Sequence, residues 1–445
     1  MIVLIKALQL ILALSVLIVI HELGHFMFAK MFGIRVDKFF LFFDAGGVKL
    51  LSTKSGWFAR LFPKAAKSET EYGIGWLPLG GYCKIAGMVD ESLDTEFTSH
   101  EPQPWEFRSK PAWQRFLVMG GGVLMNFILA IAIYSGILAK WGKSYYSNDD
   151  NCIYVNSLAY DMGFRNGDRI LKFDDYVPEN FGMLQADLAR QTATKATVLR
   201  DGDTLDLYMD HSLLPEVLNT PGMFDLAVPF CISGLPESSI NQGSGLQGGD
   251  RILALNGKAT KYVQDARQIL RDNRQSSVLA TVARDRDTLA MNLQVDSTGM
   301  LGVMLQMPPV TTQKYSVLSA IPAGFSMTFE TVGGYVRDLK LVATPSTGAY
   351  KSVGSFITMG QIFPSTWDWF QFLHIIALLS IMLGVMNLLP IPALDGGHMV
   401  FTLYEMIARR KPSDRFMYIM QITGLLLIFA LMFLAFGNDI ARLIR

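Results

Sequence analysis

The sequence predicts a polytopic α-helical membrane protein with four transmembrane helices and two tandem, extracytoplasmic α+β domains. Three observations predict this fold class: four long apolar stretches, a low content of charged residues, and an internal repeat between the second and third stretches. Only 18% of the 445 residues are charged, whereas soluble proteins carry about 25%. The formal net charge is zero, which argues against a nucleic-acid-binding surface.

Each apolar stretch reaches the roughly 20 residues that a helix needs to cross about 30 Å of hydrocarbon. The four stretches are residues 3–28, 116–139, 372–390 and 416–436. The first is longer than the apolar core of a signal peptide, and no small-residue cleavage site follows it. We therefore expect it to be a retained helix.

The distribution of Lys and Arg predicts the orientation of these helices. Residues 30–69 contain eight Lys/Arg against three acids, and the loop before the last stretch contains Arg409, Arg410, Lys411 and Arg415. Since loops rich in Lys and Arg stay in the cytoplasm, both regions should be cytoplasmic. Residues 140–371 and both termini should then lie on the extracytoplasmic side.

Two shorter elements are predicted between the first two spans. Residues 71–88 are apolar and rich in Gly and Pro, which favours a strand–turn–strand hairpin with its turn at residues 78–81. Such a hairpin is stable at membrane depth only when it is buried in protein or lines a wet cavity. Residues 104–116 combine Trp, Phe and Arg, which favours a helix at the membrane interface.

The extramembrane region contains an internal repeat. The segment MGFRNGDRILKFDD (162–175) recurs as SGLQGGDRILALNG (244–257), 82 residues later. This period is too long for a solenoid unit, and the short β-runs around a short helix in each copy predict two tandem small domains. The predicted division of the chain is residues 1–140 and 372–445 for the membrane domain, 141–227 and 228–310 for the two small domains, and 311–371 for an interfacial amphipathic segment.

The three cysteines are Cys83, Cys152 and Cys231, and they form no CxxC pair. This spacing argues against a zinc ribbon or a thiol-redox motif. The sequence leaves open whether Cys152 and Cys231 are bridged.

The first apolar stretch ends in a polar motif, His-Glu-Leu-Gly-His at residues 21–25. A charge at the bilayer centre costs roughly 2.5–3.5 kcal/mol even on insertion scales, so these residues should have a function. On a helix, His21 and His25 lie one turn apart and can bind one zinc ion, while Glu22 can act on a water at that ion. The same motif on a soluble helix often binds no metal, but its place inside an apolar span favours a metal site.

A catalytic zinc ion needs a third protein ligand and one open position. The candidates are the carboxylates and the remaining histidines, which are His100, His211, His374 and His398. We favour Asp395, because it lies at the cytoplasmic end of the third span, where two prolines and two glycines should unwind the helix. His398 is the rival ligand, and His374 is weaker because it falls near the opposite face of the membrane.

These motifs together resemble the site-2 protease family of intramembrane zinc metalloproteases (peptidase family M50), in particular the bacterial regulator-of-sigma-E-protease type. The resemblance rests on HELGH in the first span, LDGG after NLLPIP in the third, and GDRI-type repeats similar to PDZ domains between them. It implies one zinc ion per chain with His21, His25 and Asp395 as ligands and Glu22 as the catalytic base and acid.

The resemblance also implies residues that bind the substrate. Asn387 matches a family asparagine that contacts the substrate backbone, and residues 71–88, with Gly80 and Gly81 at the turn, match a membrane-reentrant β-hairpin that pairs with an unwound substrate. Two family elements differ here: LFFDAGG (41–47), and Gly121 to Asn126, which lacks the usual proline. The second difference leaves the role of Asn126 open.

The expected function is zinc-dependent hydrolysis of peptide bonds in or near the transmembrane segment of single-span proteins. By resemblance, the substrates are anti-sigma factors and remnant signal peptides, and the location is the bacterial inner membrane. We expect a monomer in the lipid bilayer with no nucleic-acid partner. The alternative is a non-catalytic PDZ-bearing scaffold; metal transport is disfavoured because the second and fourth spans lack acids. Whether the PDZ-like domains recruit substrates or only exclude bulky ones stays open.

Overall fold

The computed structural model describes residues 2–78, 80–88 and 101–444, which divide into two compact units. The helical unit comprises residues 1–142, 314–343 and 350–445, and the sheet unit comprises residues 143–313 and 344–349. The first part of the helical unit contains α1 (Ile2–Met31), β1 (Val36–Leu41), β2 (Lys49–Ser52), α2 (Gly56–Leu61), α3 (Pro63–Ala66), β3 (Glu71–Gly75), β4 (Tyr82–Ile85) and α4 (Ala112–Trp141).

The sheet unit contains thirteen strands and four short helices within the described residues. They are β5 (Lys143–Tyr145), β6 (Ile153–Val155), α5 (Ser157–Asp161), β7 (Arg169–Phe173), α6 (Leu184–Gln191), β8 (Lys195–Arg200), β9 (Asp203–Tyr208), α7 (Leu214–Asn219), β10 (Phe224–Leu226), β11 (Ile232–Gly234), β12 (Arg251–Leu255), β13 (Lys258–Ala259), α8 (Val263–Asp272), β14 (Ser277–Arg284), β15 (Asp287–Gln294), β16 (Met304–Leu305) and β17 (Thr311–Gln313). The rest of the helical unit contains α9 (Val317–Ala343), α10 (Phe356–Gln361), α11 (Trp369–Leu388), α12 (Asp395–Ala408) and α13 (Asp414–Ile444).

Four helices of the helical unit confirm the four predicted spans. These are α1, α4, α11 and α13, and each is long and apolar enough to cross a membrane. Their residues are apolar on nearly every side, as expected for helices that contact either lipid or one another. The chain is therefore an integral membrane protein.

Helix α4 lies at the centre of the helical unit, where it packs against α1, α9, α11 and α12. Its contact with α11 is an apolar core formed by Ala130, Tyr134, Ile137, Ala377, Ile381 and Val385. Small residues bring α9, which lies in the predicted amphipathic segment, close to α4. A Cβ added to Gly324 of α9 would meet Oγ of Ser135.

The strands predicted at residues 71–88 are present as β3 and β4, but they do not form a hairpin with each other. The sheet order is β2-β3-β1-β4. Strand β1 lies between the two, parallel to β3 and antiparallel to β4. The prediction of a hairpin failed because an apolar run indicates a strand but not the partner of that strand. Here β1 pairs with both β3 and β4 and so separates them. Part of the predicted turn, Leu79, lies outside the described residues.

The interfacial helix predicted at residues 104–116 is also corrected. The structure has one 3₁₀ turn at Phe107–Ser109, and α4 itself begins at Ala112. Pro111 separates the two, because proline disfavours a helical conformation in the residue before it but fits at the start of a helix.

The sheet unit contains two repeats with the same internal bonding. In the first repeat, the backbone N–H of Ile153 donates to the carbonyl of Asp168, and the carbonyl of Ile153 accepts from the N–H of Gly167. In the second repeat, Ile232 makes the same two backbone bonds with Asp250 and Gly249. The three-stranded sheet β7-β8-β9 belongs to the first repeat, and the four-stranded sheet β13-β12-β14-β15 belongs to the second. The sequence repeat is thus a structural repeat.

Each repeat is closed by a buried carboxylate and an arginine. Asp250 is fully buried and receives two 2.7 Å hydrogen bonds from the Arg284 guanidinium, which also donates to the carbonyl of Gly245. Asp168 and Arg200 repeat this arrangement at the same distances. The arginine ties the end of one strand to the loop that carries the Gly-Asp motif.

Both cysteines of the sheet unit are free thiols. Cys152 and Cys231 directly precede the equivalent strands β6 and β11, and both line a cavity of about 700 Å³. Burial raises the pKa of the Cys152 thiol. The sequence left open whether Cys152 and Cys231 form a disulfide. In this structure the two side chains are not linked.

The Asp250–Arg284 pair predicts a pH-dependent stability. The hydrogen bonds from Arg284 hold the pKa of Asp250 below its ordinary value of 3.8, so the stabilisation is complete above about pH 4 and is lost as the pH falls further. We expect Arg284→Met to lower the melting temperature of the second repeat strongly at pH 7 and much less at pH 3. Thermal unfolding of the full chain at both pH values measures this. Arg286→Met, which removes an exposed neighbouring charge, should have little effect at either pH.

Candidate metal centre

The two histidines of the HELGH motif lie side by side near the end of α1. Both are buried, His21 at 7% and His25 at 6% exposure, and their Nε2 atoms are 3.2 Å apart. The separation of four residues places both rings on one face of the helix. The structure therefore brings the two imidazoles together.

Asp395 completes a set of three ligand atoms. Its Oδ2 lies 3.2 Å from Nε2 of His21 and 3.4 Å from Nε2 of His25. Within the described residues, these three form the one group of His, Cys, Asp or Glu that could hold a metal ion. The structure thus brings Asp395, and not His398, together with the two histidines.

The spacing of these atoms fits zinc. Ligand atoms about 2.0–2.1 Å from a tetrahedral ion lie about 3.3 Å from one another, which matches the three separations. No donor in the described part of the chain makes a well-aligned hydrogen bond to Oδ2 of Asp395, although this atom is buried. Two imidazoles and one carboxylate are, in addition, a set typical of catalytic zinc sites.

Helix α4 fixes the orientation of the second imidazole. Nδ1 of His25 lies 2.8 Å from the carbonyl oxygen of Val118. Since a carbonyl can only accept, Nδ1 carries the proton and Nε2 keeps its lone pair for a metal. A metal-ligating histidine usually has such a partner on its other nitrogen.

Glycines allow α4 to approach this closely. A Cβ on Gly24 of α1 would collide with the backbone of Gly121, and a Cβ on Gly121 would collide with the backbone of Gly24. One residue further along, a Cβ on Gly122 would lie 2.5 Å from Nε2 of His25 and 2.6 Å from Cε1 of His21. Small residues let helix backbones touch in membranes, and here the contact brings α4 against both imidazoles.

Two glycines also position Asp395. Helix α11 ends at Leu388, and Asp395 is the first residue of the separate helix α12. A Cβ on Gly396 would collide with the carbonyl oxygen of Leu389, and one on Gly397 would lie 2.5 Å from that of Ile391. The two glycines of the LDGG motif therefore let the first turn of α12 pack directly against the backbone of residues 388–392.

Glu22 lies beside the three ligands in a cavity of about 730 Å³. The cavity is also lined by strand β4, by the start of α12 and by α13. Cys83 of β4 lines this cavity together with Glu22. An edge strand thus reaches the candidate catalytic residue.

The predicted substrate-binding residues are divided between two places. Nδ2 of Asn387 is 3.2 Å from Nε2 of His21, and Gly81 lines the same cavity. Gly80 instead packs against the Phe43 ring and is not among the lining residues in the described part of the chain.

The remaining histidines lie outside the three-ligand set. His398 lines the cavity one turn after Asp395, with its ring against Phe401. His374 packs against Tyr134 and Phe370, 13 residues or about 20 Å of helix before Asn387. His211 belongs to the sheet unit, and His100 lies outside the described residues.

Sequence reasoning did not identify three contributors to the site: Gly122, the carbonyl of Val118 and Gln421. Gln421 is 6% exposed and lines the cavity from α13. The sequence carries a signal for two of them. Gln421 is a polar residue in an apolar span, and Gly122 belongs to a run of three glycines at residues 120–122. A main-chain carbonyl leaves no such signal.

Comparisons with known proteins give a consistent result. The model of peptidase family M50 matches residues 9–431. A protein of Xylella fastidiosa (strain Temecula1), provisionally named a zinc metalloprotease, is 29% identical over 97% of this chain and 97% of its own. A similarly named protein of Clostridium perfringens is 27% identical over 96% of each chain. The regulator of sigma-E protease RseP of Salmonella typhimurium (strain 14028s) is 26% identical over 97% of this chain and 98% of its own.

The glycine contact predicts a position-specific effect on metal binding. Gly122→Ala should place a methyl group against both imidazoles and lower the zinc affinity at least tenfold. Gly120→Ala is the matched control, because a Cβ there meets only the Met399 side chain, at 3.5 Å. Equilibrium dialysis of the purified full chain against zinc measures both. Equal zinc affinity in the two variants would contradict this account of the contact.

Proposed function

The chain belongs to peptidase family M50 and is a zinc metalloendopeptidase, and from this premise we propose that it cleaves single-span membrane proteins within or near their transmembrane segments. The observation that carries the proposal is the position of the three ligand atoms. They come from α1, a helix long enough to cross the bilayer, and from the start of α12, seven residues after the end of α11. A substrate bond must therefore reach the level of the membrane helices.

The proposed roles of the ligands follow from their chemistry. His21, His25 and Asp395 would hold one zinc ion, which when bound supplies a Lewis acid that lowers the pKa of water from 15.7 to about 7. Glu22 takes a proton from the attacking water and returns it to the leaving amine. Glu22 is suited to this because it follows His21 directly and faces the same cavity.

A helical substrate must be unwound before cleavage, because its carbonyls are bonded within the helix. Strand β4 supports a way to hold the unwound segment. It is the last strand of its sheet in the described part of the chain, and extended chains commonly bind by adding a strand at such a position. Asn387 and Gly81 would contact the substrate backbone next to that strand. Helix-breaking or small residues in the substrate would favour unwinding.

The proposed substrates are anti-sigma factors and remnant signal peptides, in a bacterial inner membrane. Names of relatives such as the regulator of sigma-E protease support the first class. The excess of Lys and Arg at residues 30–69 and 409–415 supports a cytoplasmic site and extracytoplasmic termini. The two repeats of the sheet unit would be extracytoplasmic PDZ domains that bind extended segments or exclude bulky proteins. We propose that the enzyme acts as a monomer.

A non-catalytic scaffold is the competing function. A protein of that kind would have no need to keep the metal ligands and the neighbouring acid together. The three ligand atoms at tetrahedral spacing, with Glu22 in the same cavity, support catalysis instead.

Replacement of the proposed catalytic acid tests the proposal. Glu22→Gln should lower cleavage of a single-span reporter in liposomes by about 10²–10⁴-fold, the usual contribution of general acid–base catalysis. The zinc content should stay unchanged, because Glu22 is not a ligand. Product formation and metal analysis measure the two effects.

Glu330→Gln serves as the control, since Glu330 is an exposed acid of α9 outside the cavity. It should cleave like the wild type. If Glu22→Gln also cleaves at the wild-type rate, the role assigned to Glu22 is wrong. If the wild type binds zinc but cleaves no membrane reporter, the proposed substrate class is wrong.

A further inference from the structure

Asn126 of α4 contacts His21 at the ring nitrogen that faces away from Asp395. Its side chain is fully buried, and Nδ2 lies 3.0 Å from Nδ1 of His21. Its Oδ1 is buried and has no hydrogen-bond partner among the described residues. A buried amide oxygen without a partner costs about 1–3 kcal/mol, so this placement of the carboxamide needs an explanation.

The second imidazole indicates what the first one requires. Nε2 of His21 faces Oδ2 of Asp395, as Nε2 of His25 does. A neutral imidazole that offers Nε2 to a metal carries its proton on Nδ1. Nδ1–H of His25 has the carbonyl of Val118 as its acceptor, and Nδ1–H of His21 needs an acceptor as well.

An amide nitrogen cannot meet this need, because two donors would face each other. A half-turn of the Asn126 carboxamide about its terminal bond exchanges Oδ1 and Nδ2 without moving any other group. The oxygen then accepts from Nδ1–H of His21. The amide hydrogens take the place of Oδ1, which has no partner among the described residues, so the rotation breaks no other side-chain hydrogen bond of Asn126 there.

We propose that Asn126 is a positioning residue whose side-chain oxygen accepts a hydrogen bond from Nδ1–H of His21 and so fixes the orientation and tautomer of that metal ligand. The inference rests on the zinc centre of the proposed function. It gives both histidines an acceptor on the same helix, since Val118 and Asn126 are two turns apart on α4.

The backbone around Asn126 is held firmly. Oγ of Ser380 in α11 donates to the main-chain carbonyl of Asn126 at 2.8 Å. A Cβ on Gly384, one turn further along α11, would lie 3.5 Å from Cβ of Asn126. The side chain that faces His21 is thus fixed by contacts from a third helix.

Two substitutions of similar size separate the hydrogen bond from packing. Asn126→Leu removes the acceptor, and Asn126→Asp keeps an oxygen in its place. Asn148→Leu is the matched control, because Asn148 is also buried but lies in the sheet unit. Its Nδ2 donates to a backbone carbonyl, and its Oδ1 has no partner among the described residues. Competition with a chromophoric chelator gives the zinc affinity of each purified full chain. The ring N–H proton of His21 in the zinc-loaded protein reports the hydrogen bond by NMR.

We expect Asn126→Leu to weaken zinc binding by about 10–100-fold, the usual effect of losing such a partner, and to move the His21 Nδ1–H resonance upfield. Asn126→Asp should stay within a few-fold of the wild type, and Asn148→Leu should match it. Unchanged zinc affinity and resonance in Asn126→Leu would overturn the inference, as would equal losses in the Leu and Asp variants. A wild-type chain that binds no zinc would overturn the proposed function and this inference together.

Discussion

The contact between the backbones of Gly24 and Gly121 is the constraint on which the site depends. Polar side chains within a membrane helix are costly unless protein groups surround them. Because neither glycine has a side chain, α1 and α4 come close enough for Gly122 to cover both imidazoles and for Val118 to bond one of them. The helix contact therefore both shields the histidines and orients them.

The candidate third ligand, Asp395, is tied to the same helix, although it lies 370 residues after His25. Arg115, near the start of α4, forms a 2.6 Å ion pair with Glu405 of α12, and both side chains are largely buried. Ser380 links α11 to α4 in the same region of the helical unit. Helix α4 is thus the common support for α1, which carries the histidines, and for α12, which carries the carboxylate.

The parts of this architecture that depend on local spacing could be predicted from the sequence. The i, i+4 pair His21 and His25 defines one helical face, and Asp395 could be selected by its depth and its helix-breaking neighbours. Strand pairing could not be predicted, because β1 is as apolar as the strands on either side of it. The support from Val118 was equally hidden, since a main-chain carbonyl exists at every position and only the fold selects one.

The order of the small sheet has a mechanical consequence. Strand β1 follows α1 after only four residues, and it pairs directly with the edge strand β4. A short connection and direct strand pairing therefore hold the last strand of the sheet next to the candidate catalytic groups. A chain bound along that strand would be cut at a constant distance from the residues that pair with it. The position of cleavage would then depend on this distance, and many different residues could be tolerated at the cleaved bond.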